Sequence, residues 1–513
     1  MKVKIKNAII SLSDKSKIDS LIKILMRYRI NVICSGGTYK KIIQKYKKCE
    51  EVSKFTGFKE MLDGRLKTLH PKVFSGILCD RNKIKHRKDL YKLGVPEIDL
   101  VVVNFYPFEK FCEKKISKIK MIENIDIGGP SLVRAASKNY KYITVITDPS
   151  SYQDLENELK KNKGSTTSEF RERMACEAFE KITNYDSVIS RWFSKENKNH
   201  LQKFFSISGK QQTKLRYGEN PHQKSYYYQI DNMRNFKKLY GKNLSYNNLN
   251  DIFAALSIQE TFKKGRGTII VKHANPSGAS IEKNQLISFK RALNCDPISA
   301  FGGVISINSR MRNKIAKEIN KYFFEVIIAR GYEKNALKTL MKKKNRVLID
   351  AQNYKSQKLF DINFFGNNFV VQDVDSSTYD EKKIKVVTKL KPFKQNKESL
   401  EFAFNICKFA KSNAIVIVKN KSTIGIGSGQ PSRLDSCKIA IEKALKFNPN
   451  SMGDTIGASD AFFPFEDGVK ELTKSGVKII LQPGGSIRDK KIIEFANKEK
   501  ISMIFTGKRT FKH

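Results

Sequence analysis

The sequence is poor in cysteine and tryptophan and has no long hydrophobic run. Its eight cysteines, at positions 34, 49, 79, 112, 176, 295, 407 and 437, are widely spaced and include no CxxC pair. That spacing is typical of reduced thiols rather than a disulfide framework. No segment approaches the ~18 apolar residues of a membrane span, and the N-terminus lacks the apolar stretch of a signal peptide. We therefore expect a soluble, cytoplasmic protein that has no membrane partner.

Several cofactor motifs are also missing. The sequence has no GxxxxGK[ST] phosphate loop, and GIGSGQ at 425–430 lacks the full spacing and the later acidic residue of a dinucleotide fingerprint. No HExxH occurs, and KHANP lacks the Glu and the PCxxC of zinc deaminases. We therefore predict neither a metal site nor a nucleotide cofactor, so that organic side chains must supply the chemistry.

Acidic residues are scarce, with 51 Asp and Glu against 97 Lys and Arg, which gives a formal charge of +46. So much positive charge would attract nucleic acid or phosphorylated substrates. The lysines, however, are scattered along solvated stretches and no single arm concentrates them. We favour a compositional bias over a nucleic-acid surface, and a basic nucleic-acid-binding protein remains the alternative.

The order of apolar runs indicates an α/β fold in two domains. NAIISL, a helical stretch and NVIC form a βαβ unit, and DLVVVNF and KYITVITD are runs typical of a parallel sheet covered on both faces. Apolar periodicity is lost near 195–213. We predict a first domain over 1–196, a linker over 197–213 and a second α/β domain over 214–513.

The second half contains a possible internal repeat. TIIVKHANPSG and AIVIVKNKSTIGIGSGQ share a strand, a Val-Lys pair and a loop of small residues, and each is followed by an aromatic turn, SAFGG or SDAFFPF. This pattern suggests a duplicated subdomain, but one pair of short similarities is equally compatible with chance. The stretch 331–400 is the least informative, and we expect it to be surface or interface.

Three loops of the first half are suited to an anion. SLSDKS at 11–16 and SGGT at 35–38 follow strands, where open α/β sheets bind ligands. A third loop offers Arg65, Lys67 and Thr68, and two cations beside a hydroxyl suit a phosphate. Ser, Gly and Asp also serve as caps and turns, so each loop alone has an equally good structural explanation. Their convergence at one sheet end would favour an anion site.

The segment IENIDIGGPSLVRAASKNY adds Asp126, the pair Gly128-Gly129 and Lys138. The glycines expose backbone amides at the start of a helix that runs toward Lys138. Such amides can stabilise a developing oxyanion. A lysine within a helix is usually only solvated, so its role depends on what surrounds it.

The strongest catalytic candidate of the second half is IIVKHANPSG. Lys272 and His273 lie where a buried apolar strand ends, so a rigid element holds both side chains. Histidine is the side chain most readily poised as a base near neutral pH, and an adjacent ammonium stabilises negative charge. A histidine after a strand is often structural, yet the loop around it favours function.

Together these segments resemble one family nearly end to end, the bifunctional purine biosynthesis enzymes with formyltransferase and IMP cyclohydrolase activities. The resemblance rests on SLSDKS, SGGT, TGFKEMLDGRLKTLHPKV, IENIDIGGPSLVRAASKN, LRYGENPHQ, VKHANPSG, SAFGGVIS, TIGIGSGQPSR, SDAFFPFEDGV and QPGGSIRD. It implies a methylglyoxal-synthase-like three-layer α/β first domain and a second domain with a duplicated cytidine-deaminase-like fold without zinc.

The resemblance implies that the second domain transfers a formyl group from 10-formyltetrahydrofolate, as cosubstrate, to AICAR, giving FAICAR. His273 would then be the base, Lys272 would stabilise charge on the formyl oxygen and Asn413 would orient them. It implies that the AICAR ribotide is bound by Arg216, Tyr217, Gly302, Glu325, Arg433, Phe462 and Arg509. It implies that the folate is bound by Asp467, Ser486 and Ile487.

For the first domain the resemblance implies dehydrative ring closure of FAICAR to IMP. Lys138 would be the acid/base, assisted by Lys67, Tyr106 and Asp126. The nucleotide would be bound by Ser13, Asp14, Lys15, Ser35, Gly36, Gly37, Thr38, Arg65, Thr68 and Asn104. Small molecules are thus the expected partners, together with a second copy of the chain in a homodimer whose transferase sites are shared.

Some positions depart from the family pattern. The first loop reads SDKS without a following Thr-Gly, Glu325 stands where Asp is frequent, and Arg509 rests on a very short tail. The alternative within this family is a chain in which one domain is retained only as structure. Because the motifs are intact in both halves, we expect both activities.

Overall fold

The structure is a computed structural model that describes residues 1–112, 114, 116–196, 203–230, 236–355, 360–392 and 396–513. It divides into two compact units. The first comprises Met1–Lys210 with a short segment that begins at Tyr228, and the second comprises the rest of the chain to His513. Of the linker predicted over 197–213, residues 197–202 lie outside the described residues.

The first unit is built on a five-stranded parallel sheet. The strands of this unit up to α10 are β1 (Val3–Lys4), β2 (Asn7–Leu12), β3 (Asn31–Cys34), β4 (Cys49–Glu51), β5 (Leu100–Asn104), β6 (Thr144–Ile146) and β7 (Ser165–Thr166), of which β2 to β6 form the five-stranded sheet. The sheet has the order β4-β3-β2-β5-β6, and β1 pairs separately with β7. Every pair within the five-stranded sheet is parallel, so all its carboxyl ends lie along one edge. The predicted α/β class is confirmed.

Helices cover both faces of this sheet, and β2 and β5 are therefore almost completely buried. The helices are α1 (Ile18–Arg27), α2 (Gly36–Ile42), α3 (Val52–Thr56), α4 (Pro71–Leu78), α5 (Ile84–Leu93), α6 (Phe108–Cys112), α7 (Lys118–Glu123), α8 (Gly128–Lys138), α9 (Tyr152–Lys161) and α10 (Ser168–Glu196). Helix α1 shows the governing pattern: Leu21, Ile22 and Leu25 face the core while its other side is solvated.

The second unit is organised around one sheet of twelve strands. The strands that follow β7 along the chain are β8 (Lys210–Lys214), β9 (Tyr226–Gln229), β10 (Lys237–Tyr240), β11 (Arg266–Lys272), β12 (Asn275–Glu282), β13 (Val304–Ile307), β14 (Val326–Ala329), β15 (Val347–Asp350), β16 (Asp361–Phe365), β17 (Asn368–Gln372), β18 (Lys385–Val386), β19 (Ile415–Lys419), β20 (Ser422–Gly427), β21 (Thr455–Ser459), β22 (Val477–Gln482) and β23 (Ser502–Phe505). The large sheet has the order β10-β15-β14-β13-β11-β12-β20-β19-β21-β22-β23-β18, while β8 with β9 and β16 with β17 form separate two-stranded sheets.

The helices of this unit pack on the large sheet and complete its cores. They are α11 (Tyr246–Gln259), α12 (Gln285–Cys295), α13 (Asn313–Ile319), α14 (Lys334–Leu340), α15 (Lys397–Phe409), α16 (Arg433–Phe447), α17 (Glu466–Lys474) and α18 (Asp489–Lys498). At the start of α11, the cap residue Ser245 and Asn248 of the first turn form a capping box, in which each side chain accepts a hydrogen bond from the other's backbone amide.

The sheet consists of two repeats with the same topology. In each, an antiparallel hairpin (β11–β12 or β19–β20) pairs with a strand (β13 or β21) that continues into two further parallel strands. Each hairpin has a register shift at the same place, Ile270/Val271 and Ile417/Val418. The repeats meet antiparallel at β12 and β20. The duplication suggested by the two Val-Lys segments is therefore present.

The aromatic turns SAFGG and SDAFFPF follow their segments as the sequence indicates, but they occupy different places in the two repeats, because the first precedes β13 whereas the second begins at the end of β21. Strand β13 corresponds to β21, since Ile305 pairs with Ile270 as Gly457 pairs with Ile417. The two turns nevertheless lie at the same end of the sheet, because β13 and β21 run in opposite directions.

Candidate active sites

A cavity of about 580 Å³ opens at the carboxyl edge of the parallel sheet in the first unit. Loops that follow β2, β3 and β5 meet there with the loop at 64–68 and the N-terminus of α8. Of the residues predicted for the first site, the cavity is lined by Ser13, Lys15, Ser35, Gly36, Gly37, Thr38, Arg65, Lys67, Thr68, Asn104, Tyr106 and Asp126. Parallel strands explain this convergence, because their carboxyl ends share one edge.

Side chains of the strand ends fix the geometry of these loops. The Asn104 side-chain oxygen accepts hydrogen bonds from the backbone amides of Ser13 and Asp14 at 2.7 and 2.8 Å, and its amide nitrogen donates to the carbonyl of Asp14. The Thr38 hydroxyl accepts from the backbone amide of Leu12 at 2.9 Å. Asn104 therefore holds the first loop, in addition to the ribotide contact predicted for it.

Three cationic side chains border the cavity, and two of them have carboxylate partners. Lys67 Nζ lies 2.7 Å from Glu60 Oε1, and Arg65 forms an ion pair with Glu123. Lys15 Nζ donates to the carbonyl of Leu12 at 2.9 Å. These ion pairs are exposed, so each stabilises the fold by only about 0–1 kcal/mol. An anionic ligand can therefore compete for the two cations.

Asp126 is a half-buried carboxyl of this site. It accepts a hydrogen bond from the backbone amide of Gly129 at 2.8 Å in the first turn of α8, and its own amide donates to the Tyr185 hydroxyl at 2.8 Å. Burial raises the pKa of Asp126, although the amides of Gly129 and Tyr106 partly oppose this. A carboxyl with a raised pKa can take up and release a proton during a reaction.

Two residues predicted for the first site lie outside the cavity lining. Asp14 belongs to the loop after β2, where its carboxylate accepts a hydrogen bond from Ser16. Lys138 is the exposed last residue of α8, whose first turn contributes to the cavity. Ten residues of helix separate it from Gly128, a distance of about 15 Å along the axis. The structure thus brings Lys67, but not Lys138, to the cavity.

In the second unit, the predicted residues lie along one end of the large sheet. Strand β11 ends there at Lys272, and β19, which runs the opposite way, begins there just after Asn413. The same end holds the loop before β13, the start of β14, the turns after β21 and β22 and the C-terminal tail. Alternating strand directions therefore collect residues that are remote in sequence.

The Lys272-His273 pair lies in a tight turn between β11 and β12. His273 and Ala274 both have left-handed backbone conformations, with φ of 53° and 57°. Asp251 of α11 supports this turn: its carboxylate accepts from the Ala274 amide at 2.5 Å, and burial raises its pKa while His273 opposes the rise. Lys272 Nζ donates to the carbonyl of Phe301 at 2.8 Å. His273 is exposed and available to a substrate.

Arg216, Tyr217, Gly302 and Glu325 form a group next to this turn. Arg216 stacks over the Tyr217 ring at 4.7 Å and lies 3.5 Å from Glu325, which also pairs with Lys242 at 2.8 Å. Burial opposes ionisation of Glu325, but the neighbouring cations outweigh it and lower its pKa. Gly302, at φ 75°, directly follows the carbonyl that binds Lys272.

Asn413 and Arg433 belong to a second, buried group. Arg433 donates to the Asn413 side-chain oxygen at 2.7 Å and to Asp460 at 2.5 Å, and its guanidinium is 8% exposed. Asn413 in turn donates to the carbonyls of Gln430 and Pro431. Arg509 lies nearby, stacked on Phe511 and next to Thr510, whose amide donates to Asp460. The paired charges orient Asn413 rigidly.

Asn275 connects the ends of the two repeats. Its side chain donates to Ser428 Oγ at 2.5 Å and accepts from the Lys411 amide at 3.1 Å. Three strand spacings nevertheless separate β11 from β19, about 14 Å at the usual 4.8 Å per strand. His273 and Asn413 of the same chain therefore share one end of the sheet without direct contact.

The residues predicted to bind folate lie further along this end. Ser486 and Ile487 follow β22, and Asp467 lies in the first turn of α17; Phe462, which was predicted to bind the ribotide, lies near them in the turn after β21. Ile487 is fully exposed, and the Ser486 hydroxyl accepts from the Arg488 amide. Seven strand spacings separate β14 from β22, about 34 Å, so these residues lie far from Glu325.

Sequence reasoning missed the supporting groups of both sites. Asp251, Asp460 and Tyr185 act through contacts that span 23 to 59 positions of sequence. Asp251 alone had a local signal, because it lies six residues after Ser245, the cap of the same helix. Among the described residues, no group of three or more His, Cys, Asp and Glu could hold a metal ion. No described helix is long and apolar enough to cross a membrane.

Comparison with known proteins identifies both units. Residues 136–443 match the family AICARFT/IMPCHase bienzyme, and residues 17–131 match the MGS-like domain. The bifunctional purine biosynthesis protein PurH of Persephonella marina is 41% identical over 99% of this chain and its own full length. The proteins of the same description from Leptospira biflexa (40%, all of both chains) and Buchnera aphidicola subsp. Schizaphis graminum (44%, 99% of both) are equally similar.

The matched region covers more than half of this chain, and the relatives are aligned over their whole length. The motifs of both units are intact, so the similarity is not confined to one domain. The chain therefore belongs to the AICARFT/IMPCHase bienzyme family, the bifunctional enzymes of purine biosynthesis that combine an AICAR formyltransferase with an IMP cyclohydrolase.

Proposed function

We propose that the two activities of this chain lie in separate sites: the cavity of the first unit closes the purine ring, and the end of the twelve-stranded sheet transfers the formyl group. We correspondingly propose a cyclohydrolase domain over 1–196, a linker over 197–213 and a transformylase domain over 214–513. The observation that carries this assignment is the cation-lined cavity in one unit and the exposed His273 beside Lys272 in the other.

Ring closure is intramolecular, so the first site needs to orient FAICAR, stabilise charge and move protons. The carboxamide nitrogen attacks the formyl carbon, negative charge develops on the formyl oxygen, and that oxygen finally leaves as water. Lys67 and the amides at the start of α8 are positioned to stabilise the charge. Asp126, with its raised pKa, would move a proton to the leaving oxygen, with Tyr106 beside it. The acid/base role implied for Lys138 stays a prediction.

The nucleotide phosphate requires the other groups of the cavity. Ser13, Lys15 and the Ser35–Thr38 loop offer hydroxyls, an ammonium and amides at the N-terminus of α2. Arg65 and Thr68 provide a further cation and hydroxyl. These donors satisfy phosphate oxygens in the manner usual for helix N-termini.

In formyl transfer, the AICAR amine attacks the formyl carbon of the donor, and the bond from that carbon to the donor nitrogen breaks. The amine is conjugated with its ring and carboxamide, so it is a weak nucleophile and proton removal by His273 matters. Lys272 would stabilise the charge on the formyl oxygen. The chemistry requires a folate-derived formyl donor, and we propose 10-formyltetrahydrofolate, bound by Asp467, Ser486 and Ile487.

We further propose that the enzyme works in the cytoplasm as a homodimer with shared transferase sites. The supporting observation is distance: Glu325 and the predicted folate residues lie about 34 Å apart along the sheet end of one chain. One ribotide and one folate would meet both groups more readily if two chains contributed one group each. Sedimentation of the purified enzyme tests the dimer.

Separate assays test the two-site assignment. AICAR with 10-formyltetrahydrofolate measures the transferase, and synthetic FAICAR measures the cyclohydrolase. We expect the intact chain to catalyse both reactions, and residues 1–196 expressed alone, if folded, to retain only the second. Absence of either activity from the intact, folded chain would mean that one unit is retained only as structure.

A further inference from the structure

Lys242 is a cation of the second unit that was not among the predicted site residues. It lies in the turn after β10, and its Nζ lies 2.8 Å from Oε1 of Glu325, the residue directly before β14. Arg216 approaches the same oxygen, but only to 3.5 Å. Lys242 is thus the closer of these two cations to a carboxylate that we expect to bind the ribotide.

The order of the sheet explains why Lys242 and Glu325 meet. Strand β15 lies between β10 and β14, and it is antiparallel to β10 and parallel to β14. The turn after β10 and the residue before β14 therefore flank the start of β15. The Val347 amide at that start donates to the Glu325 carbonyl at 2.8 Å, so β15 fixes the backbone that carries the carboxylate.

The turn that carries Lys242 is held against the same strand. Gly241 has a φ of 96°, which favours glycine, and a Cβ there would collide with the Arg346 carbonyl oxygen. Lys238 Nζ donates to the carbonyls of Gly241 and Lys242 at 3.2 Å each. Arg346 is itself completely buried, and its guanidinium donates to the Tyr322 carbonyl at 3.1 Å. The backbone on both sides of the ion pair is therefore fixed before a substrate binds.

The environment of Glu325 requires a cationic partner. Its side chain is only 24% exposed, and a carboxylate in such a place ionises readily only if charges or hydrogen bonds compensate for lost water. Burial opposes ionisation, but the hydrogen bond and charge of Lys242, followed by Asn248 and Arg216, lower the pKa of Glu325. An ionised carboxylate accepts hydrogen bonds from hydroxyls and repels phosphate, so Glu325 suits the sugar of a ribotide.

Arg216 has other partners and cannot replace Lys242. Its guanidinium stacks over the Tyr217 ring at 4.7 Å and donates to the Tyr217 hydroxyl at 2.9 Å. With Lys242 as the main partner of Glu325, the remaining donors of Arg216 can bind the phosphate.

We propose that Lys242 is a positioning residue for the ribotide, which holds the Glu325 carboxylate in one orientation so that it accepts hydrogen bonds from the sugar hydroxyls. The inference rests on the proposed transferase function and adds a residue that acts through Glu325 without touching the substrate. Glutamate has one more rotatable bond than aspartate, so a fixed partner restricts Glu325 more than it would restrict a shorter side chain.

Lys242→Met tests this role with AICAR as the probe. We expect the KM for AICAR, and its dissociation constant by calorimetry, to rise about tenfold, as for loss of a hydrogen bond to a charged group. The kcat for formyl transfer should stay within about twofold, whereas a merely destabilised enzyme would lose active molecules and therefore kcat. Lys242→Gln replaces this variant if it does not fold.

Two further variants serve as controls. Lys242→Arg keeps a cation and should restore most of the affinity for AICAR. Lys237→Met removes the same charge from an exposed position of β10, and it should leave KM and kcat unchanged. An equal rise of KM in Lys237→Met would show that overall charge, rather than the contact with Glu325, sets the affinity, and would overturn the proposal.

A double-mutant cycle with Glu325→Gln shows whether Lys242 acts through the carboxylate. When Glu325 is already Gln, we expect Lys242→Met to raise the AICAR dissociation constant by less than about twofold. A full tenfold rise in that background would mean that Lys242 contacts the ribotide itself, and would overturn the positioning role. An unchanged constant in Lys242→Met alone would overturn it as well.

The calorimetric constants separate this inference from the proposed function. A wild type that binds AICAR but does not formylate it would overturn the transferase, while the cycle would still decide the role of Lys242. A wild type that binds no AICAR would overturn both.

Discussion

The two candidate sites are built in different ways. In the first unit, a parallel sheet brings loop ends together at one edge, and the result is a compact, open cavity. In the second, two antiparallel-joined repeats place the predicted site residues in a row along one end of a sheet of twelve strands. A compact cavity suits a reaction of one substrate, whereas an extended end can bind two substrates side by side. The topology of each unit thus agrees with the number of substrates in the reaction that we propose for it.

The largest expected effect that distinguishes the sites comes from His273→Ala. Removal of the base should lower formyl transfer by about 10³-fold, within the usual range for general-base catalysis. Cyclisation of synthetic FAICAR should remain within about twofold, because His273 lies in the second unit and the proposed cyclisation site lies in the first. Steady-state rates of the two separate reactions provide the measurement. A parallel loss of cyclisation would remove the distinction between the sites.

Within the first site, Lys67→Ala and Lys138→Ala can be compared directly. We expect Lys67→Ala to lower cyclisation by about 10²-fold, as for loss of one group that stabilises an oxyanion. Lys138→Ala should lose less, because Lys138 is exposed and about 15 Å along α8 from the cavity end. Rates with FAICAR test this order. A greater loss in Lys138→Ala would favour the role implied by the family over the position in this structure.

Asp126→Asn tests the half-buried carboxyl of the first cavity. Asparagine keeps an acceptor for the Gly129 amide but cannot carry the proton, so cyclisation should fall about 10–100-fold. Burial raises the pKa of Asp126, so the folded state binds this proton more tightly than the unfolded state. The wild type therefore loses some stability as pH rises from the ordinary aspartate pKa through the raised value.

The substitution removes this titration. The thermal unfolding temperature of Asp126→Asn should thus fall less with rising pH over that interval than the wild-type value does, while formyl transfer stays unchanged. An identical pH dependence in both proteins would show that the Asp126 carboxyl is not penalised by burial.

The smallest expected effect concerns Asp251, a positioning residue of the second site. Asp251→Ala removes the acceptor that holds the Ala274 amide, so His273 should be displaced and kcat for formyl transfer should fall about tenfold with little change in the KM for AICAR. Asp251→Asn keeps an acceptor and should restore most of the rate. Equal losses in both variants would indicate that charge, rather than position, is what Asp251 supplies.

Much of the fold could be predicted because the relevant signals are local. Buried runs such as LVVVN and the loops after β2 and β3 predict a parallel sheet with an anion site at its edge. The repeat was harder, because the two hairpins share only a Val-Lys pair and scattered small residues, while their common register shift exists only in the folded sheet. The different places of SAFGG and SDAFFPF in the two repeats are likewise visible only in the folded sheet.

The candidate sites were predicted in composition but not in geometry. Lys272, His273 and the loops of the first unit lie in contiguous motifs, which a sequence displays directly. The support of His273 by Asp251 and of Asn413 by Arg433 and Asp460 depends on tertiary packing. The hairpin β16–β17 lies within 331–400, the least informative stretch of the sequence. Which strands it pairs with depends on tertiary packing, which the sequence does not display.

Complementation tests the central claim, two independent sites, most directly. AICAR and 10-formyltetrahydrofolate are supplied to His273→Ala, to Lys67→Ala and to an equimolar mixture of the two, and formation of IMP is followed. Each variant alone should form IMP slowly, His273→Ala for want of FAICAR and Lys67→Ala while FAICAR accumulates, and the mixture should form it at a rate near that of the wild type. A mixture no faster than the sum of its two components would contradict the account.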